Sequence, residues 1–428
     1  MELYEHQIAV LNQTQGQNKV AYYLDMGLGK TFVGAEKMIR LGTRVNLLVC
    51  QKSKIADWVN HFKEHYTKNC VLDLTKPLYF ESFFKWIENE VPTLIIGIIN
   101  YELAWRRPEL LKLKDFTLML DESSLIQNST AKQTKFILKL QAKNVVLLSG
   151  TPTSGKYENL WTQCHLLGWD ISKTLYDKHY INWKLLDIGG TKIKTVNKAN
   201  PYKNVERLKA KMREHGAVFM KTEECFNLPE QNFIEVNVSA AKEYNLFMRN
   251  SIVTVNDVEL VGDTTLTKRL YARQLCGQYS EAKLQAFRDL IESTNDRIIV
   301  FYNFNDELEK LNKICEELSK PVSQINGHVK DLTAYEKESN SVTLCQYQAA
   351  SMGHNLQKAN KIIYFTLPER SELFEQSKKR IHRIGQNKAC FYYIMICNNS
   401  VERLIYKTLK ERKDFTDELF KENINFLF

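Results

Sequence analysis

The chain contains 428 residues, of which 44% are hydrophobic and 25% are charged, and its formal net charge is +9. This composition is typical of a folded protein long enough for two domains with buried cores, and the modest positive charge suits a polyanionic partner. The chain has nine scattered cysteines, no Cys-x-x-Cys pair, no signal-peptide pattern and no membrane-spanning apolar run, which argues for a cytoplasmic protein with reduced thiols.

The first part of the chain, from about residue 18 to 165, alternates short apolar runs with amphipathic stretches. The apolar runs have the composition of buried strands, and the stretches between them have helical spacing. This alternation predicts a parallel α/β sheet. The predicted strands are 45–49, 94–99, 116–120 and 145–148, and the predicted helices include 53–66 and 129–141.

One loop of this first part has the form of a phosphate-binding loop. Residues 24–31 read Leu-Asp-Met-Gly-Leu-Gly-Lys-Thr after an apolar segment, so we expect a strand to stop in a turn that opens a helix. Backbone N–H groups there would hold a polyphosphate, and a Cβ at Gly27 or Gly29 would keep the backbone from it. We predict that Lys30 bridges the outer phosphates and that the Thr31 hydroxyl ligates Mg²⁺.

An acidic pair, Asp121 and Glu122, follows the predicted strand at 116–120. Ligands bind open α/β sheets at the carboxyl ends of the strands, so both carboxylates are expected to face the nucleotide. Asp121 is predicted to hold Mg²⁺ through water, and Glu122 to orient and deprotonate an attacking water. A further apolar run, 145–148, ends in Ser-Gly-Thr-Pro at 149–152.

Strand-like runs thin out between about 166 and 280, where Tyr, Lys, Glu and Leu recur at helical spacing. A helical insertion is predicted here, with Gly-Gly at 189–190 and a short hairpin near 252–260. An α/β alternation resumes from about 282 to 400, and 401–428 is predicted to form one helix. The predicted strands of this second lobe are 297–301, 322–325, 342–346, 361–365 and 390–397.

The segment 376–386, Gln-Ser-Lys-Lys-Arg-Ile-His-Arg-Ile-Gly-Gln, carries two arginines three residues apart. Arg380 and Arg383 are expected to share one face of a helix, and a planar, permanently charged guanidinium suits the charge that develops on a transferred phosphate. The alternative is a solvated basic helix. The spacing Gln-x3-Arg-x2-Arg, followed by Ile-Gly-Gln, favours a functional role.

These motifs together resemble those of the superfamily 2 nucleic-acid motors, and among them the Swi/Snf-type ATPases. His-Arg-Ile-Gly-Gln at 382–386 is characteristic of that family, and Asp-Met-Gly-Leu-Gly-Lys-Thr at 25–31 is similar to its phosphate loop. The resemblance covers nearly the whole chain, from the entry motif at 3–7 through the second-lobe motif at 351–356 to Val-Glu-Arg at 401–403. It implies an α/β protein with two RecA-like parallel-sheet lobes, a helical insertion between them and a C-terminal helix.

The resemblance also implies roles for individual residues. Gln7 of the entry motif would read adenine, and Arg383 would be the arginine finger, with Arg380 helping to hold the γ-phosphate. Catalysis is expected from Lys30, Glu122, Arg380 and Arg383. The residues expected to bind ATP are Gln7, Gly27, Leu28, Gly29, Lys30, Thr31, Arg380 and Arg383. Contacts with the DNA backbone, which position the protein without reading the base sequence, are expected from Ser53, Lys54, Asn100, Tyr101 and Asn355.

The sequence therefore predicts an ATP-dependent motor on double-stranded DNA, with single-stranded DNA as a second substrate, that uses ATP and Mg²⁺ and couples hydrolysis to lobe closure. The expected protein is a monomer without membrane association, guided by a separate targeting or replication protein. A chain that resembles a bare motor favours a phage or mobile element as its source, and then the host cytoplasm as its location. The predicted domains are 1–165 for the ATP-binding lobe, 166–281 for the helical insertion and crossing, 282–400 for the second lobe and 401–428 for the C-terminal helix.

Three alternatives stay open. A strand-separating helicase would use the same ATPase core. A DNA-binding scaffold with weak ATPase activity is suggested by Leu24 and by Ser123 and Ser124, which depart from the family motifs, while the intact Lys30 and Glu122 argue against it. An RNA motor also fits the residues, because duplex shape and the 2′-OH distinguish RNA from DNA.

Overall fold

Two parallel-stranded sheets organise the residues that the computed structural model describes, which are 2–90, 93–188, 190–347 and 355–420. The chain divides into two units. The first is Met1–Cys225 with Asp414–Phe428, and the second is Phe226–Lys413. Each unit has its own sheet and its own hydrophobic core, which confirms the prediction of two parallel α/β lobes.

The first unit contains a seven-stranded sheet within its described residues, with every pairing parallel and the order β3-β4-β2-β5-β6-β1-β9. The strands of this unit, including a separate hairpin formed by β7 and β8, are β1 (Lys19–Leu24), β2 (Val45–Cys50), β3 (Cys70–Asp73), β4 (Ile95–Asn100), β5 (Phe116–Asp121), β6 (Asn144–Leu148), β7 (Trp183–Ile188), β8 (Thr191–Val196) and β9 (Ala217–Met220). Its helices are α1 (Glu5–Gln13), α2 (Lys30–Arg40), α3 (Ile55–His65), α4 (Pro77–Glu88), α5 (Tyr101–Ala104), α6 (Lys132–Ile137), α7 (Trp161–Leu166), α8 (Lys173–Tyr180), α9 (Val205–Glu214) and α10 (Thr222–Cys225). Short 3-10 helices lie at Lys52–Lys54, Pro108–Lys112, Ser123–Ile126 and Tyr157–Asn159.

The central strands of this sheet are buried on both faces. Every residue of β2 and β4 is buried, including the side chains that alternate to opposite sides. A strand covered on both sides reads as a continuous apolar run, and for that reason the four strands predicted here agree with the structure to within one residue at each end.

The second unit contains another seven-stranded sheet in its described part, in the order β10-β18-β17-β13-β16-β14-β15, parallel except for the edge pair β14 and β15. Its strands, including the hairpin of β11 and β12, are β10 (Gln231–Val238), β11 (Ile252–Val255), β12 (Val258–Val261), β13 (Ile298–Tyr302), β14 (Val322–Ile325), β15 (Lys330–Asp331), β16 (Val342–Gln346), β17 (Lys361–Tyr364) and β18 (Cys390–Cys397). Its helices are α11 (Lys242–Asn250), α12 (Thr265–Cys276), α13 (Glu281–Glu292), α14 (Asn305–Glu317), α15 (Thr333–Lys337), α16 (Ser371–Lys378) and the part up to Lys413 of α17 (Val401–Phe420).

The segment between the two predicted lobes contains more strands than its spacing indicated. The hairpin expected near 252–260 is present as β11 and β12, but the Gly-Gly region also lies between the two strands of a hairpin, β7 and β8. In addition, β9 pairs with β1 in the first sheet, and β10 pairs with β18 in the second. The tail helix is present as α17, and residues 421–428 of the prediction lie outside the described residues.

The prediction of a helix through Arg380 and Arg383 is wrong. Helix α16 ends at Lys378, and both arginines lie in the turns that follow it. The carbonyl of Arg380 accepts a hydrogen bond from the backbone N–H of Leu356 at 3.1 Å, so this carbonyl is used outside a helix. Gly385 then adopts a φ of +94°, a left-handed conformation that favours glycine. Among the described helices, none is both long and apolar enough to cross a membrane.

Candidate nucleotide site and arginine segment

Three loops that carry candidate residues leave neighbouring strands at the same edge of the first sheet. The order β5-β6-β1 is parallel throughout, so the carboxyl ends of these strands lie side by side. Asp121 ends β5, Ser149 follows β6, and the phosphate-loop candidate follows Leu24 at the end of β1. The topology therefore brings together residues that are more than a hundred positions apart in the chain.

The loop after β1 depends on glycine. Gly27 has a φ of +94° and Gly29 a φ of +75°, both in the left-handed region that side chains disfavour. Gly29 is the residue immediately before α2, so the helix begins at Lys30 with its N-terminal N–H groups at the loop. This is the strand, turn and helix N-terminus that the sequence predicted, and it is a suitable environment for an anion.

The side chain of Gln7, in helix α1, contacts this loop. Its side chain is 3% exposed, and its amide nitrogen donates to the carbonyl of Leu28 at 3.1 Å. Its amide oxygen accepts from the backbone N–H of Tyr4 at 3.0 Å, which ties the start of α1 to the loop. A Cβ added to Gly29 would lie 2.1 Å from the Gln7 amide nitrogen, so the close contact itself requires glycine.

Lys30 lies between two of the three loops. Its ammonium donates to the carbonyls of Leu24 at 2.9 Å and Asp25 at 3.3 Å, and a Cβ added to Gly150 would lie 3.3 Å from its nitrogen. Carbonyl oxygens are weak partners for an ammonium compared with a phosphate. The loop, the helix N-terminus and this lysine therefore fit the triphosphate of a nucleotide.

Asp121 is partly buried next to aromatic residues. Its carboxylate accepts a hydrogen bond from the indole nitrogen of Trp58 at 2.8 Å, and the hydroxyl of Tyr101 donates to its main-chain oxygen at 2.9 Å. Burial raises the pKa of Asp121, against the opposing effects of the Trp58 hydrogen bond and the positive charges of Lys30 and Lys54. A divalent cation would favour the ionised carboxylate, so Asp121 suits Mg²⁺.

Glu122 is held in an unusual conformation. Its φ of +55° and ψ of +58° lie in the left-handed region, where a glutamate is uncommon. One carboxylate oxygen accepts from the hydroxyls of Ser149 at 2.7 Å and Ser124 at 2.9 Å. The sequence pattern pointed to Glu122 but assigned no role to these serines, although Ser149 opens the Ser-Gly-Thr-Pro motif. Two hydroxyl donors on one oxygen orient the carboxylate.

A buried glutamine links the loops behind the site. The amide oxygen of Gln163 accepts from the hydroxyls of Tyr23 at 2.9 Å and Ser123 at 2.8 Å, and its nitrogen donates to the carbonyl of Pro152 at 2.7 Å. These bonds join β1, the turn after Asp121 and the motif after β6. Sequence reasoning missed Gln163, since a single glutamine on a helix carries no recognisable signal.

The residues predicted to contact DNA lie in two different environments. Ser53 and Asn355 are exposed, and Lys54 forms an ion pair with Asp57 at 2.9 Å. Asn100 is 6% exposed, and Tyr101 is 1% exposed with its hydroxyl used by the Asp121 carbonyl. The side chain of Tyr101 therefore supports the acidic strand from inside the lobe. Residues 351–354 of the second-lobe motif lie outside the described residues.

The two arginines of the second unit differ in burial. Arg380 is 1% exposed, and burial together with the charge of Arg383 lowers its pKa to about 10. Arg383 is partly exposed, and burial lowers its pKa to a smaller degree. Within the described residues, Arg383 has neither a hydrogen-bond nor an ion-pair partner for its guanidinium. A half-buried guanidinium of this kind is suited to an anion from outside the unit.

The neighbours of the arginines attach this segment to the rest of the second unit. A ring nitrogen of His382 lies 2.9 Å from the carbonyl of Pro229, in the stretch that leads to β10. The amide nitrogen of Gln386 donates to the carbonyls of Ala359 at 2.9 Å and Gln357 at 3.1 Å. Within His-Arg-Ile-Gly-Gln, the side chains of His382 and Gln386 therefore anchor the segment, and Arg383 between them is partly exposed.

Comparison with protein families gives two matches. A model described as the SNF2-related domain matches residues 15–280, and one described as the helicase conserved C-terminal domain matches residues 282–385. A solved structure, the Sulfolobus solfataricus SWI2/SNF2 ATPase core in complex with dsDNA, aligns over 97% of this chain and 92% of that one, with 19% identity and a TM-score of 0.46.

Similar proteins occur in animals, bacteria and viruses. A SWI/SNF-related matrix-associated actin-dependent regulator of chromatin subfamily A-like protein 1 of Drosophila melanogaster is 24% identical, over 94% of this chain and 54% of the relative. A putative ATP-dependent helicase/translocase of Bacillus subtilis is 21% identical, over 93% and 46%. A probable global transactivator of Orgyia pseudotsugata multicapsid polyhedrosis virus is 22% identical, over 92% and 86%. The chain thus spans about half the length of the first two of these relatives.

Proposed function

Because the chain belongs to the SNF2-related family, we propose that it is an ATP-dependent motor that moves along double-stranded DNA. The observation that carries this proposal is the grouping of Lys30, Asp121 and Glu122 on adjacent loops at the carboxyl edge of one sheet. Several relatives carry names that describe ATP-dependent helicases. A phosphate-binding lysine, a candidate metal carboxylate and a held glutamate together support hydrolysis of ATP.

Each group has a separate role in the proposed reaction. The N–H groups of the loop from Gly27 to Thr31 bind the phosphates, and Lys30 neutralises the outer ones. Thr31 and Asp121 would hold Mg²⁺, which would supply positive charge to the phosphates. Glu122, oriented by its two serine donors, accepts a proton from the attacking water. Gln7 positions the loop and, as the glutamine of the entry motif, would read adenine.

Arg383 completes the reaction in this proposal, and Arg380 maintains the segment that presents it. The partly exposed guanidinium of Arg383 stabilises the negative charge that develops on the γ-phosphate. Because Arg383 belongs to the second unit and the phosphate loop to the first, hydrolysis would be coupled to relative movement of the two lobes. Alternating grip on the DNA backbone then converts turnover into translocation.

A strand-separating helicase is the second candidate, and one observation favours it. The hairpin of β7 and β8 pairs with no other strand among the described residues, and it exposes apolar side chains on both strands. Leu185 is 64% exposed, Leu186 38% and Ile193 43%. Exposed apolar side chains on a two-stranded ribbon are able to stack against the end base pair of a duplex.

The direct test is ATP hydrolysis measured without nucleic acid and with duplex DNA, single-stranded DNA and duplex RNA. We expect slow basal hydrolysis, strong stimulation by duplex DNA, and loss of that stimulation at high salt, since phosphate contacts release counterions. Lys30→Ala should abolish turnover in every condition. Equal hydrolysis with and without DNA would contradict the motor, and stimulation by duplex RNA alone would assign it to RNA.

A further inference from the structure

The hairpin of β7 and β8 is anchored to the first unit at one end and exposed elsewhere. Trp183 and Val196, which face each other at the open end of the hairpin, pack against the core of the unit. Lys194 lies over the ring of Trp183, with its ammonium 4.4 Å from the ring centroid. The cation–π contact fixes this ammonium at the base of the hairpin.

A concave surface with a cavity of about 700 Å³ lies beside this base. Three lysines contribute to its lining, Lys178 from α8, Lys194 from β8 and Lys203 from the segment before α9. All three are exposed, and none has a carboxylate partner within the part of the chain that the structure describes. The remaining lining includes asparagines and Trp183, which supply polar donors and one aromatic face, and Asp177, whose carboxylate is paired with Lys173.

The charge in this region is strongly positive. Residues 173–203 contain seven lysines and two aspartates with no arginine or glutamate, a net charge of +5 within a chain whose total is +9. Both aspartates are already engaged, since Asp177 pairs with Lys173 and Asp187 accepts from the backbone N–H of Gly190 at 2.9 Å. More than half of the net charge of the chain is therefore concentrated around one hairpin and one cavity.

We propose that this surface, formed by Lys178, Lys194 and Lys203 at the base of the hairpin, binds the phosphodiester backbone of a nucleic acid outside the ATPase motifs. The inference rests on the proposed function and adds a second contact between the protein and the nucleic-acid backbone. Several ammonium groups without a carboxylate partner, around one cavity, match a ligand that carries charge at regular intervals along its length. Lysines act here as point charges, and the donors of the cavity carry no pattern for reading bases, so binding is independent of sequence.

The test compares two triple variants in their binding to a labelled duplex and to its single strand. Lys178→Ala/Lys194→Ala/Lys203→Ala removes the proposed contacts. Lys112→Ala/Lys114→Ala/Lys139→Ala removes the same charge from exposed lysines near the amino ends of β5 and β6, away from the phosphate loop. Fluorescence anisotropy between about 50 and 200 mM salt gives the affinity and its salt slope.

We expect the first variant to lower the slope of log affinity against log salt by about two to three, since each duplex phosphate contact contributes about 0.9. Affinity at the highest salt should fall at least about tenfold by the same principle, equally for unrelated DNA sequences. In the control variant, the decreases in salt slope and in log affinity should both be less than half as large. A charge-preserving variant, Lys178→Arg/Lys194→Arg/Lys203→Arg, should retain binding, which separates loss of contact from loss of folding.

The two binding measurements identify the form of DNA that the surface binds. If the first variant loses affinity for the duplex alone, or for the single strand alone, the surface is assigned to that form. Equal loss in both alanine triples would overturn the inference in favour of a general charge effect. Unchanged binding of the first triple, in a protein whose ATP hydrolysis responds to DNA, would overturn it while leaving the motor intact. Loss of binding in a protein without DNA-stimulated hydrolysis would support the surface and reject the motor.

Discussion

The side-chain amide of Gln7 donates to the carbonyl of Leu28 at 3.1 Å, so a residue of the first helix holds the centre of the phosphate loop. Leu28 is fully buried, and its carbonyl also lies 3.0 Å from a ring nitrogen of His6. The loop conformation is therefore fixed before any nucleotide arrives. Preorganised N–H groups bind an anion without the entropic cost of ordering the loop.

The first prediction uses the contact between Gln7 and Gly29. Gly29→Ala should strongly weaken ATP binding, because the added Cβ would lie 2.1 Å from the Gln7 amide nitrogen and the φ of +75° disfavours alanine. Gly42→Ala is a matched control, since Gly42 has a φ of +65° with nothing within 4 Å of its Cβ. The control should lose only about 1–2 kcal/mol of stability from backbone strain. Binding of a fluorescent ATP analogue and thermal unfolding measure both effects.

A second prediction isolates the chemical step. Glu122→Gln keeps the size of the side chain and removes its basicity, so ATP binding should persist while the turnover number falls by about 10²–10⁴-fold. Ser149→Ala removes the shorter of the two hydrogen bonds to Glu122 and should give a smaller loss in turnover with little change in KM. Glu64→Gln, an exposed change in the same lobe, serves as the control. A turnover number for Glu122→Gln within a few-fold of the unaltered protein would remove Glu122 from the mechanism.

The third prediction separates the two arginines. Arg383→Ala should leave thermal unfolding nearly unchanged and reduce turnover by about 10³–10⁵-fold, as loss of an arginine finger does. Arg383→Lys should also be poorly active, because a lysine keeps the charge but not the planar fork. Arg380→Ala should lower the unfolding temperature, since Arg380 is 1% exposed and its removal leaves a cavity.

Steady-state kinetics and calorimetry on the three variants distinguish these roles. If Arg380→Ala is inactive but fully stable while Arg383→Ala retains turnover within a few-fold, the assignments are reversed. If neither substitution affects hydrolysis, the turns after α16 form only a structural segment.

The strands of both sheets could be predicted because burial on two faces leaves a direct mark on the sequence. Runs such as 145–148 and 298–301 are apolar without interruption, and the structure places them in the central strands β6 and β13. The hairpin of β7 and β8 was missed because its strands are mostly exposed and carry three lysines among their apolar residues. The alternation Thr-Lys-Ile-Lys-Thr-Val at 191–196, directly after Gly-Gly, is a hairpin signal that could have revealed it.

The glycine loop and the acidic pair could be found from local pattern, but the polar contacts that support them could not. Gln163 and Ser149 act through partners that are distant in the sequence, which only the folded topology brings together. The same holds for Lys283 and Glu402, which form a fully buried ion pair at 2.6 Å across 119 positions of the chain. Removing one member of such a pair leaves the other charge buried without a partner. Contacts of this kind are therefore important for stability, although no local sequence pattern reveals them.

The fourth prediction concerns pH and the buried Glu307 of the second unit. One of its carboxylate oxygens accepts from the N–H groups of Asn303 at 2.9 Å and Phe304 at 3.1 Å and from the hydroxyl of Thr366 at 2.9 Å. The other oxygen has no hydrogen-bond partner among the described residues. Burial raises the pKa of Glu307 from 4.5 to about 7, against the effect of these donors.

The raised pKa determines the sign of the effect. Below pH 4.5 the carboxyl is protonated in both the folded and the unfolded chain, and as the pH rises towards 7 only the unfolded chain releases its proton. Folding stability should therefore fall over this range by about 3 kcal/mol from Glu307 alone. Glu307→Gln should flatten the pH dependence of thermal unfolding and stabilise the protein at pH 8, whereas Glu309→Gln, an exposed change on the same helix, should do neither. An identical pH profile for Glu307→Gln would show that the carboxyl titrates normally.

The last prediction is that the protein moves along duplex DNA without separating its strands. Stepping requires the two lobes to alternate their grip as ATP binds and is hydrolysed, so movement should need turnover and not binding alone. A triplex-forming third strand across the path should be displaced with ATP, and neither Lys30→Ala nor Glu122→Gln should displace it. A forked duplex with single-stranded tails should stay paired under the same conditions. Efficient unwinding of that fork would favour the helicase. Alanine substitution of Leu185, Leu186 and Ile193 would then identify the hairpin as the wedge if it abolished unwinding while DNA-stimulated hydrolysis persisted.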